Sequence, residues 1–267
     1  MLTLNDGCRL HVAAPAAGDG KRPEALILSN SLGTDVSLWD QQVSALSAGR
    51  SVWRYDTRGH GQSDAPAGDY TIERLGRDLL AVMDQAGLES ADLCGISIGG
   101  MTALWIAINE PARVRRLVLA NTAARIGTLD LWHDRMSTAR SQGIAALADG
   151  SMQRWFTAGF REREPATIEH FRSTMASTKA AGYLGCAAAL RDADLRESVS
   201  AVRARTLVIT GTHDPATTPA DGEWLRDRIP GAQLVELDAA HLSNVEAADQ
   251  FNAAVSAFLG RGSAPSR

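Results

Sequence analysis

The sequence predicts an α/β fold with a mostly parallel central sheet, helices on both faces and a helical cap inserted after the sixth strand. Short apolar runs bounded by turn residues recur along the chain, and helical patterns separate many of them. Runs of this length suit strands that are buried on both faces of a parallel sheet. Their alternation with helices indicates right-handed βαβ crossovers. The runs lie at residues 26–29, 52–55, 92–96, 117–121, 206–210 and 233–237.

The chain begins with a predicted antiparallel hairpin. Residues 2–4 and 9–13 flank Asn5, Asp6 and Gly7, which are residue types that form turns. These two segments are the first and second predicted strands.

Two helices have readable ends. Residues 71–86 place apolar side chains at helical spacing, and Gly87 ends that helix. A second helix is expected over residues 97–109, with Pro111 just beyond its end.

The alternation stops between residues 122 and 199, a stretch that favours several helices rich in Ala and Arg. A helical block between two strands of a parallel sheet suits a lid over the carboxyl ends of the strands, where such sheets bind ligands. A helical appendage that only adds core is the alternative. The predicted organisation is a core of residues 1–121 and 200–260, a helical cap of residues 122–199 and a flexible tail of residues 261–267.

Charge, hydropathy and cysteine content argue against several classes of protein. The chain has 267 residues, a formal net charge of −4 and 45% apolar residues, which disfavours a nucleic-acid binder and intrinsic disorder. Three cysteines without a Cys-x-x-Cys spacing make neither a disulfide framework nor a zinc site. No apolar run is long enough for a secretory signal or a membrane span, so the expected location is the cytoplasm. A homo-oligomer is left open.

Gly95, Ser97 and Gly99 form the pattern Gly-x-Ser-x-Gly at the point where the strand of residues 92–96 passes into a helix. In that context the pattern is typical of a nucleophile elbow. The turn is so tight that side chains at the two glycine positions would collide with neighbouring elements. We therefore predict Ser97, held out at the helix N-terminus, as the nucleophile.

A serine hydroxyl needs a base to remove its proton and an acid to orient that base. Asp214 and His241 each follow one of the last two predicted strands. Because the carboxyl ends of parallel strands share one rim of the sheet, Ser97, Asp214 and His241 are expected to converge as a catalytic triad. His213 competes for the role of base, but adjacent residues in a turn seldom reach the same acceptor.

The negative oxygen of a tetrahedral intermediate needs fixed hydrogen-bond donors. One donor should be the backbone N–H of Ile98, the residue after the nucleophile. The other should come from the loop after residues 26–29, where we predict the N–H of Leu32. Asn30 either orients that loop or is an ordinary loop residue.

Together these motifs resemble the α/β-hydrolase superfamily. Besides the elbow and His241, the match includes Asp-Thr-Arg-Gly-His-Gly-Gln-Ser at residues 56–63 and Gly-Thr-His-Asp-Pro at residues 211–215. Closer still, Asn-Ser-Leu-Gly-Thr at residues 30–34 and Ala-Arg-Ile-Gly-Thr at residues 124–128 resemble the 3-oxoadipate enol-lactonases. The resemblance implies the α/β-hydrolase fold, the triad named above and hydrolysis of a small lactone that bears a free carboxylate.

The implied reaction converts 3-oxoadipate enol-lactone and water into 3-oxoadipate through an acyl-enzyme. It belongs to the catabolism of aromatic compounds by the β-ketoadipate (protocatechuate and catechol) pathway. Because an enol is far more acidic than an alkanol, its expulsion needs little protonation. The reaction needs no metal or organic cofactor, and the sequence shows no cluster of metal ligands.

A carboxylate-bearing substrate requires a cation near the cap. Residues 122–199 contain ten basic and nine acidic residues, so the cap as a whole is not strongly positive. Arg125 and Arg135 are the candidates for a bidentate contact with the carboxylate. Trp132 lies on the same helical face as Arg135 and is expected to line the pocket. Solvated arginines paired with nearby aspartates are the alternative.

Other functions differ in what they require of the triad. A general carboxylesterase or a cofactor-free perhydrolase would share it and differ only in the pocket. A haloalkane dehalogenase would need a carboxylate at the position of Ser97. A non-catalytic small-molecule binding protein would dispense with the triad altogether.

Overall fold

A central sheet organises the computed structural model, which describes residues 1–15 and 24–260. The predicted tail, residues 261–267, lies outside the described residues. The strands are β1 (Leu2–Thr3), β2 (Arg9–Leu10), β3 (Val12–Ala13), β4 (Glu24–Ser29), β5 (Arg50–Tyr55), β6 (Ala91–Ile96), β7 (Val114–Ala120), β8 (Arg205–Gly211) and β9 (Gln233–Leu237). Seven of them form one sheet in the order β3-β5-β4-β6-β7-β8-β9. β3 runs antiparallel to β5, and the other neighbours are parallel.

The N-terminal hairpin forms as predicted, but its second strand is divided. β1 and β2 pair antiparallel, with Leu2 opposite Leu10. His11 then leaves the ladder because its N–H donates to the hydroxyl of Ser63 at 2.9 Å. The chain turns there, and β3 joins the main sheet instead. The cap therefore follows the seventh strand in chain order rather than the predicted sixth.

β7 begins before its predicted apolar run. The apolar pattern did not predict this beginning, because Arg115 and Arg116 are charged. Arg116 is tolerated inside the sheet because its Nε lies 3.2 Å from the carboxylate of Asp92 on β6. A buried charge of this kind needs such a partner.

Helices cover both faces of the sheet. Alternate side chains of β4 point to opposite sides, so that Leu26 and Leu28 join one buried cluster while Ala25 and Ile27 join the other. The helices outside the cap are α1 (Asp40–Leu46), α2 (Ile72–Gln85), α3 (Ile98–Asn109), α9 (Pro219–Arg228), α10 (Ser243–Glu246) and α11 (Ala248–Gly260). The first cluster includes residues of α1 and α11, and the second includes residues of α2, α3 and α9.

The two helices with readable ends lie within one residue of their predicted bounds. Thr71 is the N-cap of α2 and its hydroxyl accepts a bond from the N–H of Arg74. Gly87 follows that helix with a φ of +67°, a conformation that glycine adopts without strain. α3 starts directly after Ser97 and ends at Asn109.

Between β7 and β8 the chain is helical and contains no strand across residues 122–199, all of which are described. These helices contact the loops at the carboxyl ends of the sheet strands. The N–H of Leu242 donates to the carbonyl of Trp155 at 3.0 Å, and the N–H of Tyr70 donates to the carbonyl of Gly185 at 3.1 Å. The cap helices are α4 (Leu129–Gln142), α5 (Ala148–Trp155), α6 (Ala158–Arg163), α7 (Pro165–Ser177) and α8 (Ala180–Asp192).

Cap and sheet share one hydrophobic cluster. Trp132, Trp155 and Tyr183 of the cap belong to the same buried group as Leu28 and Ile96 of the sheet. The helical insertion therefore packs on the core as well as covering it. Among the helices of residues 1–15 and 24–260, none combines the length and the apolar character that a membrane span requires.

Candidate active site

The elbow at Ser97 is held by close packing of backbone. Ser97 has a φ of 57° and a ψ of −121°, a conformation that stores about 1–3 kcal/mol in a residue other than glycine. A side chain at Gly95 would overlap the backbone of Gly99, and one at Gly99 would overlap that of Ser29. The N–H of Ser97 donates to the carbonyl oxygens of Ala120 and Asn121, at 3.2 and 3.1 Å. These contacts therefore fix Ser97 at the turn between β6 and α3.

His241 and Asp214 lie at the same rim of the sheet. Both side chains are buried, and Nδ1 of His241 lies 2.8 Å from Oδ2 of Asp214. His213 is turned away, because its Nε2 lies 2.8 Å from Asp238 on the exposed surface. The structure thus brings Asp214 and His241 together as predicted and separates the competing histidine from them.

The carboxylate of Asp214 is fixed from several sides. Oδ2 accepts hydrogen bonds from Nδ2 of Asn121 at 3.0 Å and from the hydroxyl of Thr217 at 2.7 Å. Oδ1 accepts the N–H groups of Ala216 and Thr217. Burial by itself raises the pKa of Asp214, but the charge of His241 and these hydrogen bonds outweigh it and hold the pKa below its ordinary value. Asp214 is therefore ionised and oriented toward His241.

The hydroxyl of Ser97 makes no hydrogen bond to another residue within 1–15 and 24–260, while its side chain keeps a small exposed surface. The bond between a catalytic serine and its histidine is often loose before substrate binds. Ser97 follows β6, Asp214 follows β8 and His241 follows β9, and these parallel strands bring all three to one rim.

Two backbone donors face no acceptor within the described part of the chain. Ile98 is the first residue of α3, where an N–H has no partner inside the helix. Leu32 lies in a turn closed by a bond of 3.3 Å from the N–H of Thr34 to the carbonyl of Ser31. Gly33 is required there, because its φ is +80° and a side chain would overlap Met175. These are the two donors predicted for an oxyanion hole.

Side chains hold the loop that contains Leu32. Nδ2 of Asn30 donates to the carbonyl of Tyr55, and Nε1 of Trp39 donates to Oδ1 of Asn30, each at 2.9 Å. Asn30 is completely buried. Asn30 therefore orients the loop and is not an ordinary loop residue.

Arg135 lies in a cluster of cap residues. Its Nε donates to the hydroxyl of Tyr183 at 2.9 Å, and its guanidinium stands 5.4 Å from the centre of the Trp132 ring. Trp132 is itself buried and donates from Nε1 to the carbonyl of Ile126 at 2.7 Å. Trp132 and Arg135 therefore share one face of α4, as their spacing predicts.

Arg154 belongs to the same cluster but was not predicted. Burial and, to a smaller extent, the nearby charge of Arg135 lower the pKa of Arg154 to about 10. Its guanidinium donates to the hydroxyl of Ser151 at 3.1 Å. Among the described residues, neither Arg135 nor Arg154 pairs with a carboxylate.

Arg125 has a different environment. Its guanidinium lies 3.4 Å from the carboxylate of Asp194. It lines a separate cavity together with Arg196, Asp221 and Trp224. Arg125 therefore has an acidic partner, which neither Arg135 nor Arg154 has among the described residues.

Four side chains of the site escaped the sequence analysis: Asn121, Thr217, Arg154 and His60. Asn121, Thr217 and Arg154 belong to no motif, and His60 lies within the matched segment of residues 56–63 without a role of its own there. Asn121 stands at the end of a predicted strand, which is the single signal that could have drawn attention to it. In the described part of the chain, no three His, Cys, Asp or Glu side chains are grouped as metal ligands.

Comparison with known proteins identifies the family to which this fold belongs. Residues 24–248 match the family model described as the alpha/beta hydrolase fold. The 3-oxoadipate enol-lactonase 2 of Acinetobacter baylyi is 43% identical over 244 residues, which cover 91% of this chain and 91% of that protein. The 3-oxoadipate enol-lactonase 1 of the same organism is 40% identical, with 88% of each chain covered.

A solved structure extends the likeness to three dimensions. The enol-lactonase from Burkholderia xenovorans LB400 superposes with a TM-score of 0.94 and 46% identity, over 96% of this chain and 98% of the other. The family model, the relatives and the fold confirm the resemblance inferred from the motifs. The chain belongs to the α/β hydrolase family.

Proposed function

We propose that this α/β hydrolase opens 3-oxoadipate enol-lactone to 3-oxoadipate by serine catalysis in the β-ketoadipate pathway of aromatic catabolism. The observation that carries the proposal is the position of Ser97, which lies on a strained elbow at the same rim of the sheet as the buried pair of His241 and Asp214. Enol-lactonases that are 40–46% identical to this chain support the choice of substrate.

Acylation begins when the hydroxyl oxygen of Ser97 attacks the lactone carbonyl and His241 accepts its proton. Asp214 stabilises the imidazolium that forms. The N–H groups of Leu32 and Ile98 bind the oxygen that becomes negative. The bond between the carbonyl carbon and the ring oxygen then breaks. The leaving enolate takes up the proton held by His241, which returns the imidazole to its neutral form, and the enol tautomerises to a ketone within the same acyl group, which disfavours ring closure.

Deacylation uses the same groups in reverse order. His241 removes a proton from water, and the resulting hydroxide attacks the acyl carbonyl. The ester bond to Ser97 breaks, and its oxygen recovers the proton from His241. The product is the open keto diacid, 3-oxoadipate.

The cap supplies the selectivity of the proposed site for an anion. The free carboxylate of the lactone binds Arg135 and Arg154, whose guanidinium groups pair with no described acid. The end of α5 lies close to the triad, because the carbonyl of Trp155 accepts the N–H of Leu242, the residue after His241. Arg125 is outside this proposal because it lies beside the carboxylate of Asp194.

Replacement of the nucleophile tests the mechanism. We expect Ser97→Ala to lose at least about a thousandfold in kcat on the enol-lactone, because the acyl-enzyme cannot form. Its folded structure should persist, as judged by circular dichroism. Ser141→Ala, at an exposed position of α4, is the matched control and should keep full activity. Substantial turnover by the Ser97 variant would overturn the serine mechanism.

A further inference from the structure

The loop after β5 contacts the turn that contains Leu32, and it includes a histidine that does not belong to the triad. His60 is buried and lies in the segment that follows β5. Its Nε2 is 2.9 Å from the backbone nitrogen of Gly33, and its Nδ1 is 3.3 Å from the carbonyl oxygen of Arg58. A backbone N–H can only donate, so Nε2 must be the acceptor and carry no proton. The proton of the neutral ring then lies on Nδ1, from which it is donated to Arg58.

This bond acts on the turn that presents Leu32. The N–H of Thr34 donates to the carbonyl of Ser31, and the N–H of Gly33 donates to Nε2 of His60. The N–H of Leu32 is left without an acceptor in the described part of the chain. Within those residues, His60 is also the one side chain outside the turn that bonds to its backbone. The peptide between Leu32 and Gly33, next to the one that carries the N–H of Leu32, is thus bound from outside the turn by a single imidazole nitrogen.

We propose that His60 is a positioning residue that, as its neutral Nδ1–H tautomer, holds the turn of residues 31–34 so that Leu32 donates to the oxyanion. The inference rests on the proposed function in one respect, the use of Leu32 as a donor. It concerns every ester or lactone that Ser97 attacks, whatever the physiological substrate.

The surroundings of His60 favour the neutral ring. Burial lowers the pKa of His60, while the hydrogen bond to Arg58 and the charges of Asp56 and Asp35 oppose this effect. The charge of Lys179 lowers the pKa further. A protonated ring would place a second N–H against the N–H of Gly33 and break the bond that holds the turn.

Two variants of similar length separate positioning from packing. Gln places an amide oxygen near the site of Nε2, whereas Met has only a thioether, which is a weak acceptor. We expect His60→Met to lower kcat about 10- to 100-fold and to change KM less than about threefold. This loss of kcat is no larger than the loss that removal of one oxyanion donor causes. His60→Gln should keep kcat within about fivefold of the parent enzyme.

Comparable losses of kcat in the Met and Gln variants, or losses that appear only in KM, would overturn the proposal. The kinetics can be followed with the enol-lactone or with a p-nitrophenyl ester. Failure of the proposed function would appear separately, as activity retained by Ser97→Ala.

A second measurement does not depend on turnover or on the folding of a variant. Side-chain ¹⁵N NMR of the intact enzyme, with the His60 signal assigned by its absence in His60→Gln, should show an unprotonated Nε2 and a protonated Nδ1. A proton on Nε2 at neutral pH would contradict the inference.

Discussion

Two half-buried arginines of the cap carry charges that no described carboxylate neutralises. Arg135 is held by the hydroxyl of Tyr183 and the ring of Trp132, and Arg154 by Ser151. Guanidinium groups in such partly dry surroundings bind a carboxylate more strongly than exposed ones do. The proposed selectivity for an anionic lactone depends on these two side chains.

Removal of either charge should affect anionic and neutral substrates differently. We expect Arg135→Met and Arg154→Met each to lower kcat/KM for the carboxylated lactone about 10- to 100-fold, mainly through KM. The same variants should change kcat/KM for a neutral p-nitrophenyl ester less than about threefold. Arg125→Met is the control and should leave both substrates unaffected.

Steady-state kinetics on the two substrates measures the effect. Equal losses on the charged and the neutral substrate would remove that arginine from the carboxylate site. A selective loss in Arg125→Met would show that the anion binds in the other cavity.

The sequence led to the proposed triad because Ser97, Asp214 and His241 each follow a strand, and parallel strands bring their carboxyl ends together. It could not lead to Asn121 or Thr217, which fix Asp214 through contacts created by the fold. In the sequence, Arg125 and Arg135 were equivalent candidates for the carboxylate contact, because both lie in the predicted helical cap. Only the structure separates an arginine that is paired with Asp194 from one that is not.

The cap is joined to the sheet at points of very close approach. A methyl group at Gly182 on α8 would overlap the backbone of Gly59, in the loop after β5. The carboxylate of Glu246 accepts the N–H of Ala240, before His241, and the N–H of Thr157, before α6. The position of the cap is thus coupled to the loops that contain Gly59 and His241.

Gly182→Ala tests this coupling. The added methyl group must push α8 away from the loop, so we expect a loss of about 1–3 kcal/mol in the free energy of unfolding and a higher KM. Urea unfolding and steady-state kinetics measure the two effects. Gly159→Ala in α6 is the control, since a methyl group there meets only the end of Arg163, and its stability should be unchanged or slightly raised. Parental stability and KM in Gly182→Ala would refute the close contact.

The sequence predicted helices and strands well where apolar residues decide, as in α2 and β9. It failed where polar residues decide. The second predicted strand divides at His11 because the hydroxyl of Ser63, far along the chain, captures its N–H. β7 extends into Arg115 and Arg116 because Asp92 on the neighbouring strand compensates the charge.

The charge of the chain as a whole does not favour an anionic substrate. The net charge is −4, so long-range attraction cannot bring the lactone to the site. In the proposed function, capture of the lactone depends instead on Arg135 and Arg154, which are partly buried and poorly screened by salt.

Ionic strength distinguishes local capture from steering. Between about 0.02 and 0.5 M salt, we expect kcat/KM for the lactone to change less than about threefold. Stopped-flow or steady-state rates over this range provide the measurement. A tenfold or larger decrease with salt would indicate that a field over the surface guides the substrate.

The substrate itself is the central claim, and a comparison of specificity constants tests it most directly. Loss of the absorbance of 3-oxoadipate enol-lactone should be measured beside hydrolysis of a panel of p-nitrophenyl esters, with one preparation of the enzyme and with Ser97→Ala as the blank. We predict a kcat/KM for the enol-lactone at least about a hundredfold above that for any simple ester, because only the lactone presents a carboxylate to the cap. Faster turnover of simple esters would contradict the lactonase and identify a general carboxylesterase.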